Sequence, residues 1–314
     1  HGITGGTLSV SAAGGANNSL VVDGNIARGS GPDTAYYGAL ASVAFSAASG
    51  TNTATFNGDI SGTFDTRTSP SKSAGGSVAG LSAALGSTSS NGSATLNANG
   101  SIAITGMTRS GSVANVTGAA LSAFGEVPVD FNLHGAVTAT SISDTVSRVV
   151  GVSVGQNNLS TVRLTADGAV TATAIGAGST ATGINASGSS FAPSNINTGI
   201  LTVHANGDVS ATSDGGATGI GLSRGSTRFA ALTAGLGGID LDTKGTVSAT
   251  SASAAAIGIS GVMVNGADNA ATLALRAEGN VIASGTAAGS YGIFAQRDGL
   301  GDIRIDALAG VQSS

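Results

Sequence analysis

Hydrophobic and polar positions alternate with a period of two through short runs, and the runs recur along the chain. Residues 201–212 read LTVHANGDVSAT, and 162–173 (VRLTADGAVTAT), 239–250 (IDLDTKGTVSAT) and 273–284 (LALRAEGNVIAS) repeat the pattern. More worn copies stand at 20–26, 54–60, 94–104 and 131–140, and 303–314 closes the chain. The copies align on a glycine: Gly24, Gly58, Gly100, Gly135, Gly168, Gly207, Gly245 and Gly279, at steps of 33 to 42 residues, with Gly310 next in line. A period of this length marks a repeat array before any other architecture.

A second glycine recurs 12 to 22 residues after the first. Gly80, Gly151, Gly183, Gly219, Gly258 and Gly292 each precede Ile, Val or Leu, with looser forms at Gly38 and Gly118. Each repeat therefore predicts three strands: (L/V/I)-x-(L/V), then G-x-(V/I)-x-A, then G-(I/V/L)-x-x. Alternation puts Val209 and Ala211 inward and Ser210 and Thr212 outward. The same register aligns Val137, Val170, Val209, Val247 and Val281 in one inward column and Ala139, Ala172, Ala211, Ala249 and Ala283 in another. Like residues stacked coil upon coil predict an all-β fold, a parallel β-helix of about nine coils of 30–42 residues. Helical repeats are disfavoured, because Gly, Ser, Thr and Val are poor helix formers.

The chain reads as one continuous solenoid over 1–314, with degenerate repeats in 1–160 and clearer ones in 161–314. Three short strands use about half of each repeat, leaving turns, loops or a fourth short strand. Variable spacing predicts loops at 63–76, 187–198 and 224–238, leaving one edge of the coil.

Composition narrows the picture. The chain has 51 Gly, 4 Pro, no Cys and no Trp; charged residues are 9% and aromatics 4%. Such small side chains suit a narrow interior better than a bulky globular core. A net charge of -5, with 12 scattered Lys and Arg, argues against a nucleic-acid partner. No apolar run reaches the ~18–20 residues of a membrane helix. The start His1-Gly2-Ile3 carries no signal sequence and reads as a mature or excised piece.

Candidate chemistry is sparse. His134 and His204 follow the inward Leu133 and Val203 and read as members of one outward polar column. Asp240 and Asp242 with Arg276 and Asp208 are the grouping a carbohydrate-active β-helix enzyme would need, although paired catalytic carboxylates also require a cleft. The turn-flanking Asp59, Asp167, Asp302 and Glu278 read as turn residues. No cofactor or metal site is expected. The most regular surface pattern is a two-column hydroxyl ladder: Thr138 and Thr140, Thr171 and Thr173, Ser210 and Thr212, Ser248 and Thr250, then Ser284, with Ile282 breaking the first column. It could serve as an ice-binding or self-assembling fibre surface, or be only the polar choice that strands favour.

The L-x-L-x-A-x-G-x-V-x-A-T unit with SYGIFA at 290–295, ATGIGL at 217–222 and Gly301-Asp302-Ile303-Arg304-Ile305 resembles passenger repeats of Gram-negative autotransporters. Filamentous-haemagglutinin-type exoproteins are similar, but with shorter, Asn-rich repeats. The autotransporter resemblance covers most of the chain, strongly over 162–314. It implies a secreted, right-handed parallel β-helix at the bacterial cell surface, with an outer-membrane barrel C-terminal to this stretch. The implied role is a non-enzymatic structural or adhesive module, whose partners are host or matrix surfaces or sibling chains. Passengers share a scaffold and not a site, so no functional residue carries over.

Overall fold

A computed structural model describes residues 3–4, 7–13, 17–29, 38–47, 50–65, 67, 76–87, 92–108, 114–144, 146–157, 160–189, 199–225, 237–264 and 271–314. All regular elements among them are strands, and every pairing is parallel between one strand and its counterpart a coil later. One coil shows the plan: Leu201–Ala205, Val209–Ser213 and Ala217–Gly225 each pair with the matching strand of the coils before and after. Among the described residues three sheets of ten, nine and nine strands result, a parallel β-helix that goes round nine times and ends one strand further. At ~4.8 Å per coil the stack is roughly 40–45 Å tall. The sheets are called here the L-sheet (containing Leu201–Ala205), the V-sheet (Val209–Ser213) and the G-sheet (Ala217–Gly225).

The inward columns follow the expected register. Val137, Val170, Val209, Val247 and Val281 are partners in succession and all buried, and Ala139, Ala172, Ala211, Ala249 and Ala283 run beside them. No fourth strand occurs among the described residues. The G-sheet strands are long instead, 11 residues at Ser147–Asn157 and 9 at Ala217–Gly225.

Each glycine signature has a distinct steric cause. The first sits at the corner between L- and V-sheets, where a Cβ on Gly207 would lie 2.5 Å from the carbonyl oxygen of Gly168 one coil away. The second lies within the G-sheet and faces the Val column. A Cβ on Gly183 would come 2.5 Å from Val209 Cγ1 and 2.6 Å from the Gly219 carbonyl oxygen, and Gly151, Gly219 and Gly258 are confined in the same way. These columns let two sheets close on an interior only one branched side chain deep.

Three alignments differ from expectation by local slips. Leu40, not Gly38, stands in the second glycine column, because Ala39 pairs with Ala79 and Ala41 with Leu81. The bulk of Leu40 is accommodated across the interior by Gly62, where a Cβ would meet Leu40 Cδ1 at 2.7 Å. Ala309, not Gly310, takes the last corner position, since Ala277 pairs with Ala307 and Val281 with Val311. His134 and His204 do not share a column. The strand Val129–Leu133 pairs with Val162–Ala166, so Leu133 is level with Ala166 and His134 with the corner residue Asp167.

Connections differ sharply between corners. All nine L-to-V corners span three residues, as at Asn206-Gly207-Asp208. Long connections leave two edges rather than one: 66–76 joins a V-strand to a G-strand, whereas 190–200 and 226–238 join G-strands to L-strands. Most of the loop positions expected at 63–76, 187–198 and 224–238 lie outside the described residues. Their bases are strand, reaching Asp65, Ser189 and Gly225.

Candidate functional site

Four of the polar groups singled out in the sequence are occupied in holding coils together. Asp208 Oδ1 accepts the backbone N–H of Thr246 (2.7 Å), and Asp59 Oδ1 accepts that of Ser101 (2.7 Å), so both brace corners. Asp167 accepts Asn206 Nδ2 at 2.7 Å and faces His134 Nδ1 at 2.6 Å. Those two contacts, the Asn206 amide first, hold its carboxyl below the ordinary aspartate range. Asn57 and Asn99 continue a corner ladder from Asp23.

The Asp240, Asp242 and Arg276 group lies on the outward face of the L-sheet. Asp242 and Arg276 are adjacent in one column, with Nη1 to Oδ1 at 3.9 Å, and Arg276 Nη2 reaches Glu278 at 2.8 Å. His204 Nδ1 lies 3.9 Å from Asp242 Oδ2. Asp240 stands in the neighbouring column and Asp208 at the corner, so the four do not converge. No group of three or more His, Asp or Glu among the described residues is arranged to hold a metal ion.

Arg224 is a functional-looking side chain that the sequence did not single out. It points inward at 2% exposure, donating from Nη1 to Gly238 O (2.9 Å) and from Nη2 to Gly199 O (2.6 Å). Burial pushes its guanidinium down to about 10. Gln156, buried two coils earlier, also donates to Gly199 O (3.3 Å), and Gly188 between them leaves the room. Arg224 and Gln156 therefore tie down the points where 190–198 and 226–236 rejoin the L-sheet.

The outward face of the V-sheet carries the ladder. Thr138, Thr171, Ser210 and Ser248 are successive register partners, followed by Ile282. Thr140, Thr173, Thr212, Thr250 and Ser284 are partners in the second column. That column is longer than expected: Thr105 pairs with Thr140 and Thr63 with Thr105. Seven consecutive coils thus present a hydroxyl at one position, always five residues after the corner glycine. Ser210 Oγ bonds Thr171 Oγ1 at 3.3 Å along the column.

Two properties set this face apart. No charged side chain stands in either column from Ser61 and Thr63 through Ile282 and Ser284, whereas the L-sheet face carries Asp130, Arg163, Asp240, Asp242, Arg276, Arg304 and Asp306. Its borders are also low. The L-to-V corners span three residues, and V-to-G connections from Ser143 onward span three to six.

Compared with family models, characterised proteins and solved structures, the chain matches none.

Proposed function

We propose that this chain is a non-enzymatic structural and adhesive module of the bacterial exterior, a rigid three-faced rod that contacts extended surfaces. The observation that carries this reading is repetition: outward hydroxyl side chains recur at one coil spacing along the V-sheet face. Contacts of that kind are individually weak, and gain strength only when many engage one continuous partner at once. A cell, matrix or sibling-chain surface supplies such a partner. The carboxylates a sugar-cleaving enzyme would use stand in two columns of one face and at a corner, without converging, which favours adhesion over the carbohydrate-active alternative. The resemblance to autotransporter passengers supports a secreted, surface-held location, and a Cys-free chain suits export before folding.

Beads coated with the protein at graded density test the reading against matrix-coated, cell-coated and self-coated surfaces. Adhesion should rise more steeply than in proportion to coating density. Adhesion no better than that of inert beads, together with polysaccharide turnover abolished by Asp242→Asn, would overturn it in favour of the enzyme.

A further inference from the structure

The geometry points to a specific extended partner for the V-sheet face: crystalline water, bound through the Thr and Ser ladder. This deepens the surface-contact reading, on which it rests, by naming one surface and one face.

The face is a two-dimensional array. Its hydroxyls repeat at ~4.8 Å along the stack and ~6.6 Å across it, from the strand spacing and twice the rise per residue. Threonine is stiff at χ1, so neighbouring copies in one register hold their methyl and hydroxyl groups in repeated positions at small entropic cost. Each hydroxyl has one donor and two acceptor sites. The bond between Ser210 and Thr171 uses only part of that capacity. A surface of hydroxyls interspersed with threonine methyls orders water without the strong local orientation a charge imposes. Its repeat is of the same few-ångström scale as a water lattice.

Access points the same way. A flat crystal reaches a protein face only if nothing stands proud beside it. Over the coils from Val137 to Ser284 the V-sheet is bordered by corners of three residues on one side and connections of three to six on the other. The G-to-L edge, by contrast, carries connections of 11 and 13 residues at 190–200 and 226–238. A dissolved ligand would want a concavity and an anionic partner would want cations; this face offers neither in its two columns.

Ice partitioning tests the inference on the whole chain: a dilute solution is slowly frozen onto a cold probe and protein in the ice is compared with protein left in the liquid. The double variant Thr173→Lys, Thr212→Lys places two charges in the longer column. Thr202→Lys, on the outward L-sheet face, serves as control, and circular dichroism melts confirm that all three proteins are folded. The native chain and the control should enter the ice well above a non-binding globular protein, and the double variant should fall to that protein's level. Exclusion of the native chain, or equal entry of the double variant, overturns the inference. So does binding to crystalline polysaccharide, or a sedimenting dimer, that the double variant abolishes while ice entry is absent. Bead adhesion that persists without ice entry rejects this partner and leaves the adhesive reading standing.

Discussion

Gly183→Ala, a single methyl, should cost this protein more than many whole side chains would. The added Cβ would sit 2.5 Å from Val209 Cγ1 and 2.6 Å from the Gly219 carbonyl oxygen. Ordinary contact begins near 3.4 Å, so both neighbours must retreat by almost an ångström. One is backbone in a paired strand, and the other is locked in a column with Val170 and Val247. Overpacking a tight core costs about 1–3 kcal/mol, and confinement on two sides places this case near 3. For a 314-residue chain, with an unfolding entropy of ~2.1 cal/mol/K per residue, that lowers the melting temperature by ~4–5 °C. Gly221→Ala is the internal control: its Cβ would point outward, with Thr218 Cγ2 at 3.6 Å as the nearest atom. It should be neutral, or stabilising by up to ~1 kcal/mol through the unfolded chain. Thermal and urea unfolding followed by circular dichroism would measure both. A second arm combines Gly183→Ala with Val209→Ala, copying the exchange already seen where Leu40 faces Gly62. The double variant should lose less than the sum of the singles, with a coupling of about 0.5–3 kcal/mol. If Gly183→Ala and Gly221→Ala melt together, the glycine column does not set the distance between sheets.

Arg224→Ala leaves the Gly199 and Gly238 carbonyls without their guanidinium donors and should destabilise by about 1–3 kcal/mol. Hydrogen exchange should accelerate first around Leu201–Ala205 and Ile239–Thr243. Asn52→Ala removes a side chain at 0% exposure that donates to Gly86 O at 3.0 Å and accepts from Asn18 at 2.7 Å. A similar 1–3 kcal/mol loss should appear in urea unfolding. Asp167 has a folded-state pKa below its unfolded value, so its contribution is fully present above the unfolded pKa and is lost as pH falls through the folded one. Its carboxyl resonance should titrate below an ordinary aspartate, and in Asn206→Ala the midpoint should move upward.

The fold was legible because one signal was repeated until chance could not explain it. Val209 and Ala211 alone say little, but Val137 through Val281 at one phase of a period-two pattern say which side is in. The corner glycines were equally plain. The slips have physical origins. His134 was misplaced because Phe131-Asn132-Leu133 imitates the L-x-L run, while the strand itself begins at Val129 and puts Leu133 where the two adjacent coils have Ala98 and Ala166. Thr63 and Thr105 were missed because their inward neighbours are Gly62 and Ile104 rather than Ala, although their distance from the corner glycine is constant. Arg224 gave no warning, since nothing local tells an inward arginine from an outward one. Its partners, Gly199 and Gly238, lie 25 and 14 residues away.

The nine three-residue corners act as a datum for everything that follows them. A strand that starts a fixed distance past Gly207 has its inward and outward positions decided before any connection elsewhere is counted. Length changes between the anchored points Ser189 and Gly199, or Gly225 and Gly238, therefore leave Val209 and Val247 facing the interior. One residue inserted into Asn206-Gly207-Asp208 would instead throw the whole strand after it out of phase, exchanging threonines for valines at the surface. The chain thus separates a metre fixed by its corners from connections whose length does not set the phase of the strand that follows the next corner.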